Sequence, residues 1–170
     1  FCDRYRVGML GGSYGGYMAT WLAGHRGDRF RAFCTERAVN NATSMEWSSD
    51  IATGFSAFHG GNHLELPDEY LRISPIELVS NIEAPMLIIH SEEDWRCPIS
   101  QAEELWMALT LLDKDVDFYR FPGENHELSR TQPLLDLLGG HHHVPHVGLA
   151  LRGQRRGHGN EQGVGLLEAL

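Results

Sequence analysis

The chain has 170 residues, of which 42% are hydrophobic and 22% charged, and this composition is ordinary for one globular domain with its own core. Its formal net charge of −9 argues against a nucleic-acid partner. No apolar run reaches the roughly 18 residues that cross a membrane, and no basic and apolar leader opens the sequence. We therefore expect a cytoplasmic protein that binds neither nucleic acid nor membrane.

The cysteines and the first residue add two expectations. The three cysteines, Cys2, Cys34 and Cys97, show no C-x-x-C spacing, which argues against a disulfide framework or a zinc site and favours a reducing compartment. The chain starts at Phe1 rather than Met and almost at once enters strand-like sequence. This start suggests a fragment of a longer protein.

The first third of the chain alternates strand and helix patterns. Residues 6–10 are predicted to form a short buried strand, and residues 13–23 a helix, since Tyr17, Met18, Trp21 and Leu22 have near-helical spacing. Gly24 is predicted to end that helix. Residues 30–35 can form a second strand, and residues 36–75 are interpreted as loops and short helices.

The alternation continues further along the chain. The apolar run "PMLIIHS", from Pro85, is typical of a strand covered on both faces. Residues 99–112 predict a helix with Ala102, Leu105, Trp106, Leu109 and Leu112 on one face. "VDFYRF" alternates and predicts another strand. This order indicates an α/β fold with a mostly parallel sheet and helices on both faces.

The composition changes near residue 138. Residues 139–170 hold eight of the nineteen glycines, five of the ten histidines and no aromatic residue. We expect a partial α/β domain over residues 1–138, followed by a Gly/His/Arg-rich tail over 139–170 that is disordered or reads in a shifted frame.

Gly11-Gly12-Ser13-Tyr14-Gly15 fits the pattern G-x-S-x-G between a strand and a helix. Such a turn lifts a serine onto a sharp bend, and the flanking glycines leave room for close backbone approach. Ser13 is thus the candidate nucleophile, and the backbone N–H of Tyr14 a candidate oxyanion donor. A phosphate-binding loop is disfavoured because the motif contains no Lys.

A nucleophilic serine needs a histidine and an acid, which follow it along the chain in this fold. Glu92, Glu93 and Asp94 lie just past the "LIIHS" strand, and His126 follows the next strand. The residue pattern alone leaves all three acids open.

The remaining histidines are interpreted as structural rather than catalytic. His90 is expected to be buried or capping, and His25, His59 and His63 to lie on loops. Gly60-Gly61 within "FHGGN" is interpreted as a turn, because an oxyanion loop of that type lies upstream of the nucleophile. A functional metal site at His141-His142-His143 and His146 is disfavoured, so neither metal nor cofactor is expected.

The chain resembles the prolyl oligopeptidase family of serine peptidases, in particular its acylaminoacyl-peptidase and dipeptidyl-aminopeptidase-like branch. The resemblance rests on "GGSYGGYM", on "TERAVNNATSMEWSSDI" and on the region from "SPIELVSNIEAPMLIIHSEEDWRCP" to "HELSR". It implies the C-terminal half of an α/β-hydrolase fold. The sequence after residue 130 does not resemble the amphipathic helix that ends family members.

The resemblance also implies a function. It identifies Ser13 as nucleophile, Asp94 as acid and His126 as general base, acting on short peptide substrates through an acyl-enzyme. It implies a parent protein with a β-propeller that gates access, which could also oligomerise. The alternatives left open are a carboxylesterase on the same fold and an inactive truncated fragment.

Overall fold

The computed structural model describes Asp3 and residues 5–129, which form one parallel sheet with associated helices. The four strands, in chain order, are β1 Met9–Gly12, β2 Phe33–Glu36, β3 Met86–Ser91 and β4 Val116–Phe121. The five α-helices are α1 Tyr14–Arg26, α2 Ala42–Ser48, α3 Ala52–His59, α4 Pro67–Arg72 and α5 Ser100–Leu111. Two 3-10 segments, Gly27–Arg29 and Pro75–Asn81, complete the described part. No helix in this part is both long and apolar enough to cross a membrane.

The sheet has the strand order β1-β2-β3-β4, and every neighbouring pair is parallel. Gly12 at the end of β1 pairs with Glu36 at the end of β2, and Glu36 in turn pairs with Ile89 of β3. The loops that leave the strands at their carboxyl ends therefore meet at one edge of the sheet, where α/β proteins usually place their sites.

Both long helices pack on the same face of this sheet. Ala19 and Ala23 of α1, with Ala102, Leu105 and Leu109 of α5, join a buried cluster that also contains Phe33, Met86 and Ile88 from the strands. The predicted parallel α/β sheet is confirmed. Leu112, predicted on the buried face of α5, is instead 45% exposed beyond the helix end.

The other face of the sheet has its own apolar cluster. Cys34, Leu87, Ile89, Phe121 and Leu128 form it, and within residues 5–129 its members come from strands and a loop. All six residues of β3 are buried, because Met86 and Ile88 face one cluster while Leu87 and Ile89 face the other. The prediction from "PMLIIHS" of a strand covered on both sides is thus confirmed.

Helix α1 ends later than predicted, and its buried residues are not the apolar ones whose spacing predicts the helix. Its buried residues are the small ones, Gly16, Ala19, Thr20 and Ala23, so the helix lies close to the sheet. Tyr14, Tyr17, Trp21 and His25 instead form a run of ring contacts along the helix.

Gly24 does not end α1, which continues to Arg26. A Cβ on Gly24 would lie 2.5 Å from the Cβ of Leu78. The glycine therefore permits close packing between the helix and the segment Pro75–Asn81.

Other boundaries and histidines also depart from expectation. Strand β1 begins at Met9 rather than at residue 6, and β2 at Phe33 rather than at residue 30.

His25 and His59 lie in helices rather than loops, whereas His63 lies in a turn. Gly60, with φ of 83°, follows α3 and confirms the predicted turn. The predicted tail, residues 139–170, lies outside the described residues.

Candidate active site

The turn between β1 and α1 holds Ser13 in a strained backbone conformation. Its φ is 57° and its ψ −118°, in a region that costs a non-glycine residue free energy. The Ser13 N–H donates to the carbonyl of Glu36 at 2.9 Å, and the Ser13 carbonyl accepts the N–H of Tyr17 at 2.9 Å. The serine is thus fixed at the start of the helix and at the carboxyl edge of the sheet.

Two glycines explain why the backbone can bend here. A Cβ on Gly11 would lie 2.2 Å from the carbonyl oxygen of Gly15, and one on Gly16 would lie 2.6 Å from that of Glu36. Among the described residues, a Cβ on Gly15 would meet no atom within 4 Å. Gly11 is therefore needed for close backbone approach, as expected. On the other side of the serine the glycine that is needed is Gly16 rather than Gly15.

Asp94 differs sharply from its two acidic neighbours. It is 3% exposed, and its Oδ1 accepts the backbone N–H groups of Arg96 and Cys97, each at 2.9 Å. Glu92 pairs with Arg120 at 3.0 Å, and Glu93 is exposed. Only Asp94 of the three faces His126.

His126 lies between Asp94 and Ser13. Its Nδ1 is 2.7 Å from Asp94 Oδ2, and its Nε2 is 3.0 Å from Ser13 Oγ. With the Nδ1–H donating to the carboxylate, Nε2 can accept the serine hydroxyl proton. The structure thus brings together the three side chains singled out from the sequence, although they come from three separate loops.

His90 is a neighbour of this arrangement without being part of it. Its ring is 1% exposed and its Nε2 donates to the carbonyl of Cys97 at 2.7 Å. The same nitrogen is 3.5 Å from Asp94 Oδ2. Burial lowers the pKa of His90 below its ordinary value, which favours the neutral ring. The expectation of a buried structural histidine is confirmed.

Cys97 is a second neighbour that sequence reasoning did not place at the site. Burial, with the nearby charge of Asp94, raises the pKa of its thiol to about 12, while a hydrogen bond with Ser13 acts the other way. A thiol in that state is a poor nucleophile. Ser13 is therefore not in competition with a thiolate beside it.

Arg37 is the other site residue that the sequence did not reveal. It follows β2, and its Nη1 donates to the backbone carbonyl of His126 at 2.6 Å. The two residues are 89 positions apart, and no local pattern around "TERAVNN" predicts such a contact.

Two exposed aromatic residues adjoin the three side chains in sequence. Tyr14, next to Ser13, is 73% exposed, and Trp95, next to Asp94, is 71% exposed. Arg96 pairs with Asp50 at 2.6 Å, and this hydrogen bond lowers the pKa of the Asp50 carboxyl. Within residues 5–129, no group of three or more His, Cys, Asp or Glu side chains is arranged to hold a metal ion.

Residues 1–136 match the family model described as "Prolyl oligopeptidase family". The chain is 41% identical over 130 residues to the uncharacterized peptidase YuxL of Bacillus subtilis, covering 76% of this chain and 20% of that protein. It is 33% identical over 138 residues to the acylamino-acid-releasing enzyme of Arabidopsis thaliana, covering 76% and 18%.

Solved structures agree with this likeness. An acylaminoacyl peptidase from Pyrococcus horikoshii superposes with a TM-score of 0.69 at 36% identity, covering 73% of this chain and 20% of that one. The chain thus spans about a fifth of the length of the curated relatives it matches.

Proposed function

The chain belongs to the prolyl oligopeptidase family, and on that premise we propose that it carries the catalytic residues of a serine peptidase. Ser13 is the nucleophile, His126 the general base and Asp94 the acid that orients the imidazole. The observation that carries the proposal is the pair of hydrogen bonds from His126, 2.7 Å to Asp94 and 3.0 Å to Ser13. Relatives named as peptidases support the same reaction class.

The reaction follows from this geometry. Ser13 Oγ attacks the carbonyl carbon of the peptide while His126 Nε2 takes the hydroxyl proton, and Asp94 stabilises the resulting imidazolium. The carbonyl oxygen becomes an oxyanion, to which the N–H of Tyr14 donates. Tyr14 is the first residue of α1, and N–H groups in a first helical turn have no acceptor within the helix.

The second half of the reaction uses the same proton. The tetrahedral intermediate collapses, the peptide C–N bond breaks, and His126 donates its proton to the leaving amine. Water then attacks the acyl-enzyme, giving its proton to His126, and Ser13 is released with its hydroxyl restored.

The substrates we propose are short peptides, cleaved in the manner of an acylaminoacyl, dipeptidyl or oligopeptidase. Support comes from relatives named as acylamino-acid-releasing enzymes and acylaminoacyl peptidases. A β-propeller elsewhere in the parent protein, assembly into oligomers and a cytoplasmic location belong to the same proposal.

Covalent labelling tests the nucleophile without requiring a complete substrate pocket. We expect a fluorophosphonate probe to label the chain and Ser13→Ala to abolish that labelling. The matched control is Ser80→Ala, because Ser80 is exposed and its carbonyl accepts from Nζ of Lys114, which precedes β4, whereas the three side chains follow strand ends. Labelling that survives in Ser13→Ala would eliminate Ser13 as the nucleophile.

Turnover separates peptidase from esterase. We expect hydrolysis of an acyl-alanine anilide or a free-amine dipeptide anilide as well as of p-nitrophenyl esters. Ester hydrolysis with no anilide hydrolysis would instead favour a carboxylesterase. Labelling with no turnover of either substrate would mark the isolated chain as an inactive fragment.

A further inference from the structure

We propose that Arg37 is a positioning residue, which holds the loop of His126 against the turn of Ser13. This inference rests on the proposed function, because it concerns the same three side chains. It begins from a single contact, the 2.6 Å hydrogen bond from Arg37 Nη1 to the carbonyl of His126.

The first argument is that Arg37 and its neighbour join all the loops of the site. The carbonyl of Glu36 accepts the N–H of Ser13, and the N–H of Arg37 donates to Ile89 of β3, both at 2.9 Å. The Arg37 side chain then reaches His126, after β4. Glu36 and Arg37 therefore form hydrogen bonds to three segments: Ser13 after β1, Ile89 in the strand that leads to Asp94, and His126 after β4.

The second argument is where the guanidinium lies. Its Nη2 is 3.1 Å and its Nε 3.2 Å from the position that a Cβ on Gly12 would occupy. Gly12 directly precedes Ser13, so the cation fills the space between the nucleophile turn and the histidine loop. A larger residue at position 12 would displace it.

The third argument is that the arrangement is held at a cost. Arg37 has a φ of 39°, an unfavourable conformation for a residue with a side chain. Its buried Nε has no hydrogen-bond partner among the described residues and lies 3.7 Å from Glu36 Oε1. Strain and an unsatisfied donor concentrated beside a site suggest that the geometry serves the site.

A loop that carries a general base must hold it accurately, because an error of about 1 Å can reduce the rate about a hundredfold. The His126 side chain is 16% exposed, and its loop crosses the carboxyl edge of the sheet. The bond from Arg37 fixes the backbone of His126 itself, which leaves the imidazole free to exchange protons.

The test compares four forms of the 170-residue chain: the original, Arg37→Met, Arg37→Lys and Arg31→Met. Arg31 is the matched control, since its Nε donates to the Tyr5 carbonyl at 2.8 Å in an exposed position. The readouts are the rate constant for labelling by a fluorophosphonate, the low-field proton resonance of His126 Nδ1–H, and the melting temperature.

We expect Arg37→Met to reduce the labelling rate constant about 10- to 100-fold and to broaden or remove the His126 resonance. Arg37→Lys should recover part of the rate, because its ammonium can still donate to a carbonyl. Arg31→Met should stay within about twofold of the original. For p-nitrophenyl acetate, the loss should fall on kcat rather than KM.

An unchanged rate and resonance in Arg37→Met would overturn the proposal. So would equal losses of rate in Arg37→Met and Arg31→Met at equal melting temperatures. If Arg37→Met does not fold, Arg37→Gln, which is too short to reach the carbonyl, repeats the comparison.

Failure of the proposed function gives a different result. If the original chain is not labelled at all, Ser13 has failed as nucleophile, and Arg37 is judged by the His126 resonance alone. Persistence of that resonance in Arg37→Met then overturns the positioning role, and its loss supports it.

Discussion

At the scale of single residues, three adjacent acids show what a sequence can and cannot decide. Glu92, Glu93 and Asp94 all follow a buried strand, and their pattern predicts an acid there without choosing one. The choice depends on contacts distant in the chain: Asp94 is buried and faces His126, whereas Glu92 turns to Arg120. Family resemblance identified Asp94, and its catalytic role stays a prediction.

A charge-removing pair of substitutions tests that role. Asp94→Asn should lower kcat by about 10³- to 10⁴-fold, since an amide no longer orients the imidazole or stabilises its charged form. Glu93→Gln is the control, because Glu93 is exposed, and it should leave kcat within about twofold. Steady-state kinetics with a p-nitrophenyl ester gives both values. The opposite pattern would move the acid to position 93.

At the scale of elements, β3, β4 and α5 match their predicted positions closely, whereas β1, β2 and the packing of α1 do not. Strands β3 and β4 appear where apolar runs and alternation indicated, because both patterns reflect burial within a sheet. Helix α1 was harder, since its buried face consists of Gly16, Ala19, Thr20 and Ala23, which carry little hydrophobic signal. Arg37 could not be found at all, because a bond across 89 residues leaves no local pattern.

Gly24 gives the packing of α1 a direct test. In a helix interior, Gly→Ala ordinarily gains about 1 kcal/mol. At Gly24 the new Cβ would lie 2.5 Å from the Cβ of Leu78, so the backbones must separate. We expect Gly24→Ala to lower the free energy of unfolding by about 1–2 kcal/mol, measured by denaturant titration.

Two further variants complete that experiment. Gly54→Ala in α3 meets no atom within 4 Å and should stabilise by up to about 1 kcal/mol. Adding Leu78→Gly to Gly24→Ala should cost less than the two separate losses combined, since glycine removes the Leu78 Cβ that the new Cβ meets. Wild-type stability in Gly24→Ala would show that the helix and the Pro75–Asn81 segment can separate freely.

At the scale of the whole molecule, His90 connects the stability of the fold to pH. Burial lowers the pKa of this ring from its ordinary 6.5, so between the folded and unfolded values the unfolded chain binds the extra proton. Well above pH 6.5 neither state is charged, and the effect vanishes. Below it the free energy of unfolding falls until the folded-state pKa is reached.

His90→Gln tests this dependence because glutamine can still donate to the carbonyl of Cys97. Between pH 7 and pH 5, the free energy of unfolding of the original chain should fall. This fall should be smaller in His90→Gln. The carboxyls with lowered pKa, those of Glu46, Asp50 and Glu69, act only near or below their ordinary values of 3.8 to 4.5. His25→Gln, on the exposed face of α1, is the control, and equal slopes in all three proteins would contradict the assignment to His90.

The separation between Ser13 and His126, 113 positions along the chain, has a consequence for biosynthesis. At about 5–20 residues per second, the ribosome would complete His126 roughly 6 to 23 s after Ser13. A nascent chain that has formed β1 to β3 therefore carries its serine and its acid without a base. Under the proposed mechanism, hydrolysis would become possible only once β4 and its loop had emerged, so the growing polypeptide would be protected from a serine nucleophile that is made before its base.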